Sequence, residues 1–209
     1  MLSGEKTRIA VLVSGGGTNL QALLDAQASG ALHSGEIVLV VSNKPGAYAL
    51  TRASQAGVEA LTLTRADCGG AEGFEAALQA ALEARGVELI ILAGFLSILS
   101  ADFTARWDRR ILNVHPSLIP SFCGKGFYGL KVHQAALERG VKYTGATVHY
   151  VNQIPDGGEI LLQQPVPVLP GDTPEVLQRR VMEQAEWILL PWAAELVSAR
   201  IQNEKEPRA

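Results

Sequence analysis

Two polar residues, one position apart, are where this chain could do chemistry. In Arg110–Pro120, RILNVHPSLIP, Ile111, Leu112 and Val114 are apolar or β-branched and Pro116 closes the run, the pattern of a buried strand. Strand side chains alternate with a period of two, so Asn113 and His115 share one face and Val114 takes the other. An amide and a titratable imidazole thus emerge together at a strand's carboxyl end, where α/β sheets bind ligands. The amide can donate to a developing oxyanion, and the imidazole can hold or pass a proton. A strand end whose histidine simply bonds a loop uses the same residues.

Asp156 is the second informative residue. It opens Asp156-Gly157-Gly158, and glycines let a loop carry a carboxylate close to another segment. Beside His115, a carboxylate favours the charged form of the ring. Asp-Gly is equally ordinary turn chemistry. The third feature is Gly15-Gly16-Gly17-Thr18-Asn19, between the apolar run Arg8–Ser14 and the helical pattern LQALLDAQA. Strand, glycine turn and helix aim backbone N–H groups and a positive helix end at an anion, with Thr18 or Asn19 able to cap the helix or donate. A P-loop needs Gly-Lys-Ser/Thr, and no lysine follows. A dinucleotide fingerprint needs a third glycine where Leu20 stands and an acidic residue where Asn43 and Lys44 stand. A single phosphate monoester remains, beside a tight turn that binds nothing.

The elements that must position these residues repeat a strand–helix pattern. Expected strands are Arg8–Ser14, Glu36–Ser42, Glu59–Thr64, Glu88–Leu92 and the Asn113 strand. Helices are expected over Leu20–Ala28, Ala47–Gly57, Ala71–Arg85 and Ala101–Trp107. Phe74, Ala77, Leu78, Ala81 and Leu82 recur at helical spacing, Glu59–Thr64 is polar enough for an edge, and Ala93–Leu99 is an apolar loop. Repeated β-α units imply an α/β fold with a doubly wound, mostly parallel sheet. Beyond Pro120 come a glycine-broken loop, Ser121–Tyr128, and a helix, Gly129–Gly140. Thr144–Val151 and Glu159–Val168 then read as an antiparallel pair extending one edge. Thr173–Ile201 reads as a long amphipathic helix bent or broken near Pro191. The chain is expected to be one domain ordered over about 7–201, after a leader Met1–Lys6 and before a polar tail from Gln202.

Composition narrows the classes. A formal net charge of −3 over 209 residues argues against a sequence-independent nucleic-acid binder. Every apolar run is too short to span a membrane. Cys68 and Cys123 make no CxxC, which suits a reducing cytoplasm. His33, His115, His133 and His149 lack metal-ligand spacing, so no metal is expected.

Taken in order, SGGGTNLQ, AGFLSIL, NVHPSLIP, TVHYV and DGG resemble the glycinamide ribonucleotide formyltransferases, from about Arg8 to Pro191. NVHPSLIP and DGG are also similar to the wider group that uses 10-formyltetrahydrofolate, including methionyl-tRNA formyltransferase and formyltetrahydrofolate deformylase. Those two usually carry an additional domain, which 209 residues do not accommodate. The resemblance implies a Rossmann-like fold and transfer of a formyl group from 10-formyltetrahydrofolate to the amine of glycinamide ribonucleotide, in de novo purine biosynthesis. It implies Asn113, His115 and Asp156 as the catalytic trio. Gly16, Gly17, Thr18 and Asn19 would hold the phosphate and Glu186 the ribose hydroxyls. Leu96, Ser97, Ile98 and Leu99 would line the pterin pocket, with Asn113 and the segment from Val151 to Asp156 completing it.

The chain departs from the family pattern in places. Ala71 stands near the position of an arginine that meets the folate's glutamate tail, and Arg65 is a nearby substitute. Trp187 replaces a frequent histidine. The segment SFCGKGFYGLKVH belongs to a longer-loop variant, with no firm role for Lys125 or Lys131. Monomer and homodimer both fit.

The implied chemistry agrees with the residues. Formyl transfer to an amine passes through a tetrahedral carbon bearing an oxyanion, and an amide donor there is worth about 2.7–4 kcal/mol. Charged His115 adds to that stabilisation, and its proton can reach the departing folate nitrogen through water. No covalent enzyme intermediate is needed. Two other functions use parts of the set. A deformylase replaces the amine by water, and a non-catalytic phosphate-sugar binding module needs the glycine loop alone.

Overall fold

The computed structural model describes Glu5–Lys205. The chain falls into two compact units: residues through Leu99 with those from Ala194 onward, and Ser100–Ala193. The fold class is α/β, with a mostly parallel sheet and antiparallel edge strands, as expected.

The first unit contains β1 (Thr7–Val13), α1 (Thr18–Ser29), β2 (Gly35–Ser42), α2 (Tyr48–Gln55), β3 (Glu59–Thr62), α3 (Ala71–Glu83) and β4 (Leu89–Leu92). Its strands are parallel in the order β3-β2-β1-β4. β1 is flanked on both edges and its residues Ile9–Val13 are wholly buried, the reason for its unbroken apolar run. β3 is the edge strand and its side chains stay exposed or half-exposed. α3 buries Phe74, Leu78 and Leu82, one stripe at four-residue spacing. Because the strands are parallel, the carboxyl ends of β1, β2 and β4 all open on one edge. That edge carries the glycine loop, Asn43 and the Ala93–Leu99 loop.

The second unit contains α4 (Ala101–Arg106), β5 (Ile111–His115), α5 (Leu130–Arg139), β6 (Tyr143–Tyr150), β7 (Ile160–Pro167) and α6 (Pro174–Val181). β6 pairs antiparallel with both β5 and β7. The β5–β6 register sets Asn113 opposite His149 and His115 opposite Thr147. A last helix, α7 (Trp187–Lys205), contains the boundary between the units.

Two expectations about the C-terminal helices are corrected. The long helix is not broken at Pro191, which lies inside α7. The irregularity is a single π turn, Met182–Glu186, where the Trp187 N–H reaches back to the Met182 carbonyl. Proline lacks the N–H for the carbonyl four residues back and crowds it, but that loss falls beside a turn already widened, so α7 carries on. The helix also continues through Lys205, where a polar tail was expected from Gln202. The Gln202 amide donates to the Ser34 carbonyl at 3.0 Å and Lys205 Nζ meets Glu88 at 2.7 Å, so this last turn is held by contacts invisible in its polar sequence. The rest of the expected leader and tail, Met1–Gly4 and Glu206–Ala209, lies outside the described residues. Among the described residues, no helix is long and apolar enough to cross a membrane.

Candidate active site

Within the second unit, four side chains from three segments converge. β5 supplies Asn113 and His115, β6 supplies His149, and the β6–β7 loop supplies Asp156. His115 Nδ1 lies 3.5 Å from Asp156 Oδ2, and His149 Nε2 lies 3.6 Å from Asp156 Oδ1. Asn113 Nδ2 is 3.1 Å from His149 Nε2. Asp156 reaches this position because its loop folds back tightly. A Cβ on Gly158 would stand 1.7 Å from the Tyr150 carbonyl oxygen, and one on Gly157 2.6 Å from Ile154 Cγ2. Asp156 itself has φ 55°, a left-handed conformation that aspartate and asparagine tolerate better than most residues. At Gly158 any Cβ would strike the backbone, and at Gly157 a side chain would have to displace Ile154.

The carbonyl partners show which nitrogen of each ring carries a hydrogen. His115 Nε2 is 2.8 Å from the Phe122 carbonyl oxygen, which can only accept, so that nitrogen carries a proton. Its Nδ1 faces the Asp156 carboxylate, and the charged ring has a partner for each N–H. His149 Nδ1 donates to the Tyr150 carbonyl at 2.8 Å. In the neutral ring Nε2 accepts from Asn113 Nδ2–H, whereas in the charged ring the same nitrogen donates towards Asp156 Oδ1. The Ser121–Tyr128 loop completes the arrangement from its backbone: Phe122 supplies the carbonyl and the Gly124 N–H donates to Asp156 Oδ2 at 2.8 Å. Phe122 is left-handed too, at φ 49°.

Burial works against the Asp156 charge, yet His149, the His115 charge and the Gly124 N–H together hold its carboxyl below the ordinary value. Burial and the Asp156 charge push the Cys123 thiol up, away from the thiolate a nucleophile needs. His133, on α5, is wholly buried and its ring nitrogens have no hydrogen-bond partner among the described residues. Burial, and then the His115 charge, push it down to about 4, so it is a neutral ring packed under the cluster. His149 is the member that the sequence reading did not assign. Its signal was a histidine in the alternating TVHYV, but its partner depends on the β5–β6 register, which no local motif encodes.

In the first unit the glycine loop joins β1 to α1. Gly17, at φ 74°, precedes the first helical residue and no side chain caps α1. Thr18 and Asn19 thus lie within the first turn rather than at the cap position, which corrects the capping expectation. A Cβ on Gly17 would meet Ala49 Cβ at 2.6 Å, whereas a Cβ on Gly15 or Gly16 would meet nothing within 4 Å. The loop is packed on its α2 side and open on the other.

The apolar loop after β4 is tethered to its neighbours. Leu96 N–H donates to Ser14 Oγ at 2.9 Å and Asn43 Nδ2 to Ser97 Oγ at 2.8 Å. Leu96 and Ile98 are 57% and 63% exposed, while Leu99 is buried, so the apolar surface on offer is that of Leu96 and Ile98. Arg65 Nη2 donates to the Ile98 carbonyl at 3.1 Å, bringing a cation to that loop, and Ala71 begins α3 exposed. In the second unit Val151 N–H bonds the Ile111 carbonyl at 2.9 Å, and Glu186 is buried in the π turn. Lys131 stacks over Tyr128 at 4.8 Å and Lys125 is exposed.

The family model described as formyl transferase matches residues 7–192. The chain belongs to the formyl transferase family. It is 42% identical over 177 residues to phosphoribosylglycinamide formyltransferase of Haemophilus influenzae, covering 85% of this chain and 81% of that protein. It is 44% identical over 189 residues to the trifunctional purine biosynthetic protein adenosine-3 of Drosophila melanogaster. That match covers 90% of this chain and 14% of the relative, so the chain spans a small part of its trifunctional relatives. The crystal structure of glycinamide ribonucleotide transformylase 1 from Symbiobacterium toebii superposes with a TM-score of 0.87 at 42% identity, covering 95% of this chain and 93% of that one. Among the described residues of this formyl transferase, no group of three or more His, Cys, Asp or Glu side chains is placed to hold a metal ion.

Proposed function

We propose that this chain is a single catalytic domain that transfers the formyl group of 10-formyltetrahydrofolate to the amine of glycinamide ribonucleotide in de novo purine biosynthesis. The observation that carries the reading is the Asn113–His149–Asp156–His115 cluster, built with contacts of 3.1 to 3.6 Å in a member of the formyl transferase family.

In this reading the amine attacks the formyl carbon and an oxyanion develops on the formyl oxygen. One Asn113 N–H is held by His149, and the other is the donor for that oxyanion. His115 in its charged form, with Asp156 and the Phe122 carbonyl facing its two ring nitrogens, stabilises the same negative charge. A proton leaves the attacking nitrogen and one reaches the departing folate nitrogen, with Asp156 and His115 exchanging protons with water along the way. The first-turn N–H groups of α1 with Gly16, Gly17, Thr18 and Asn19 bind the phosphate, and Glu186 takes the ribose hydroxyls. Leu96 and Ile98 offer apolar surface to the pterin, Ser97 and Leu99 shape that loop, and the segment from Val151 to Asp156 closes over it. Arg65 meets the acidic tail of the folate. The reading includes a cytoplasmic enzyme, monomeric or homodimeric, acting on two small molecules without metal, membrane or nucleic acid. Two free cysteines, Cys68 and Cys123, support a reducing compartment.

Incubation with 10-formyltetrahydrofolate, with and without glycinamide ribonucleotide, tests this. Folate release and formylated ribonucleotide should appear only when both substrates are present. Equal folate release without the ribonucleotide identifies a deformylase instead, and ribonucleotide binding without release in either case identifies a binding module.

A further inference from the structure

The glycine loop is held from one side by α2. The Ala49 N–H donates to the Gly15 carbonyl at 3.1 Å, and Arg52 Nε donates to the Gly16 carbonyl at 2.9 Å. Arg52 Nη1 also donates to Gln21 Oε1 at 2.9 Å, on α1, and its guanidinium lies 5.0 Å from the centre of the Tyr48 ring. One arginine thus ties the loop, the helix that follows it and the helix behind it.

In a planar trans peptide, the carbonyl and the following N–H point in opposite directions. Fixing the Gly15 and Gly16 carbonyls against α2 therefore turns the Gly16 and Gly17 N–H groups away from α2. A Cβ at Gly15 or Gly16 meets nothing within 4 Å, so there is open space around these two residues. The loop has three glycines in a row and no side-chain cap on α1, so its own sequence does little to hold this orientation. Gly17 packs against Ala49, which sets the distance between loop and α2. Arg52 supplies the bond that sets the direction.

We propose that Arg52 is the positioning residue of the phosphate loop, holding the Gly16 carbonyl back so that the loop's N–H groups present themselves to a phosphate monoester. Its charge adds a favourable field for the dianion, and its Nη2 donors are not committed among the described residues. The inference rests on the reading of this loop as the ribonucleotide's phosphate site. It adds a residue outside the loop, on a different helix, that decides phosphate affinity without belonging to the chemistry.

The test is a calorimetric titration with ribose 5-phosphate, alongside steady-state kinetics, on wild type, Arg52→Ala and Arg52→Lys. Arg52→Ala should weaken ribose 5-phosphate about tenfold and raise KM for glycinamide ribonucleotide by a similar factor. KM for the folate, kcat and the melting temperature should hardly move. Arg52→Lys should recover part of the loss, because an ammonium can bond the Gly16 carbonyl but cannot also reach Gln21 in a fork. Unchanged ribose 5-phosphate affinity in Arg52→Ala overturns the proposal. So does a loss shared by both substrates and by thermal stability with no recovery in Arg52→Lys, which would make the residue a general support of the fold. The titration does not depend on turnover: a wild-type enzyme that binds ribose 5-phosphate but transfers no formyl group defeats the proposed reaction and leaves the Arg52 comparison readable. A wild type that transfers formyl but does not bind ribose 5-phosphate defeats the phosphate loop and Arg52 together.

Discussion

The glycine loop of the first unit and the histidine–carboxylate cluster of the second solve different problems by different means. The loop offers backbone N–H groups from one contiguous stretch, and the phosphate proposed for it is a full charge that needs only dipoles and space. The cluster uses side chains from β5, β6 and the β6–β7 loop, and each is partnered in turn: Tyr150 bonds His149, His149 meets Asn113, and Asp156 with Phe122 faces His115. Backbone recognition tolerates changes that leave the turn intact. A side-chain network does not, because removing one member leaves a buried partner unpaired. Under the proposed function, binding loss without rate loss is expected of the first region, and rate loss without binding loss of the second.

The largest separation is predicted for His115→Ala. Loss of the charge and the proton route should lower kcat by about 10³-fold or more, while the ribonucleotide still binds. Stopped-flow or quench measurement of a single turnover reads this without interference from product release.

Asp156→Asn should come next. Asparagine tolerates the left-handed backbone and can still accept from the Gly124 N–H, so the loop stays in place and only the charge is lost. Turnover should fall by about 10²-fold, with the thermal transition at neutral pH shifted little. The pH dependence has a definite sign. The Asp156 carboxyl is held below its ordinary value, so the stability it contributes is present above the unfolded-state pKa and lost as pH falls through the folded one. Wild type should therefore show, in melts carried below the ordinary carboxylate range, a loss of stability that Asp156→Asn lacks.

Gly17→Val tests the other region. The residue is left-handed and a Cβ meets Ala49 at 2.6 Å, so valine must displace the loop from α2. Ribonucleotide affinity should fall by about tenfold or more while kcat at saturating substrate changes less. Equal weakening of the folate would mean that the substitution disturbs more than a local anion site.

The smallest effect concerns His133. Its folded-state pKa is pushed down to about 4, so in acid the unfolded chain binds a proton that the folded chain refuses. Its cost is absent above about pH 6.5, grows as pH falls and levels off near 4, reaching at most about 3 kcal/mol. His133→Leu should flatten that part of the stability curve in urea melts and leave turnover near neutral pH within a few-fold. A large loss of turnover would place this ring in the chemistry instead of beneath it.

The two regions also differ in how far the sequence reveals them. Strand, three glycines and helix are contiguous, so the loop could be read locally, and so could the alternation that puts Asn113 and His115 on one face. Asp156 could be nominated from its glycines, but the reason Gly158 is obligatory, its approach to the Tyr150 carbonyl, exists only after β6 and β7 have paired. His149 went unassigned because antiparallel register, not spacing, brings it to Asn113. Arg52 was equally silent: an arginine on an ordinary amphipathic helix acquires its partner from the β1–α1 turn 36 residues earlier. The π turn at Met182–Glu186 was hidden by Pro191, a stronger local signal for a break that the helix absorbs. What the sequence withheld is consistently what depends on two elements meeting.

The division between binding and chemistry is tested most directly by calorimetric titration of glycinamide ribonucleotide into His115→Ala and Gly17→Val side by side. The predicted result is affinity within a few-fold of wild type in His115→Ala and at least about tenfold weaker in Gly17→Val. Affinity lost in His115→Ala in parallel with its turnover, or retained in Gly17→Val, would contradict it.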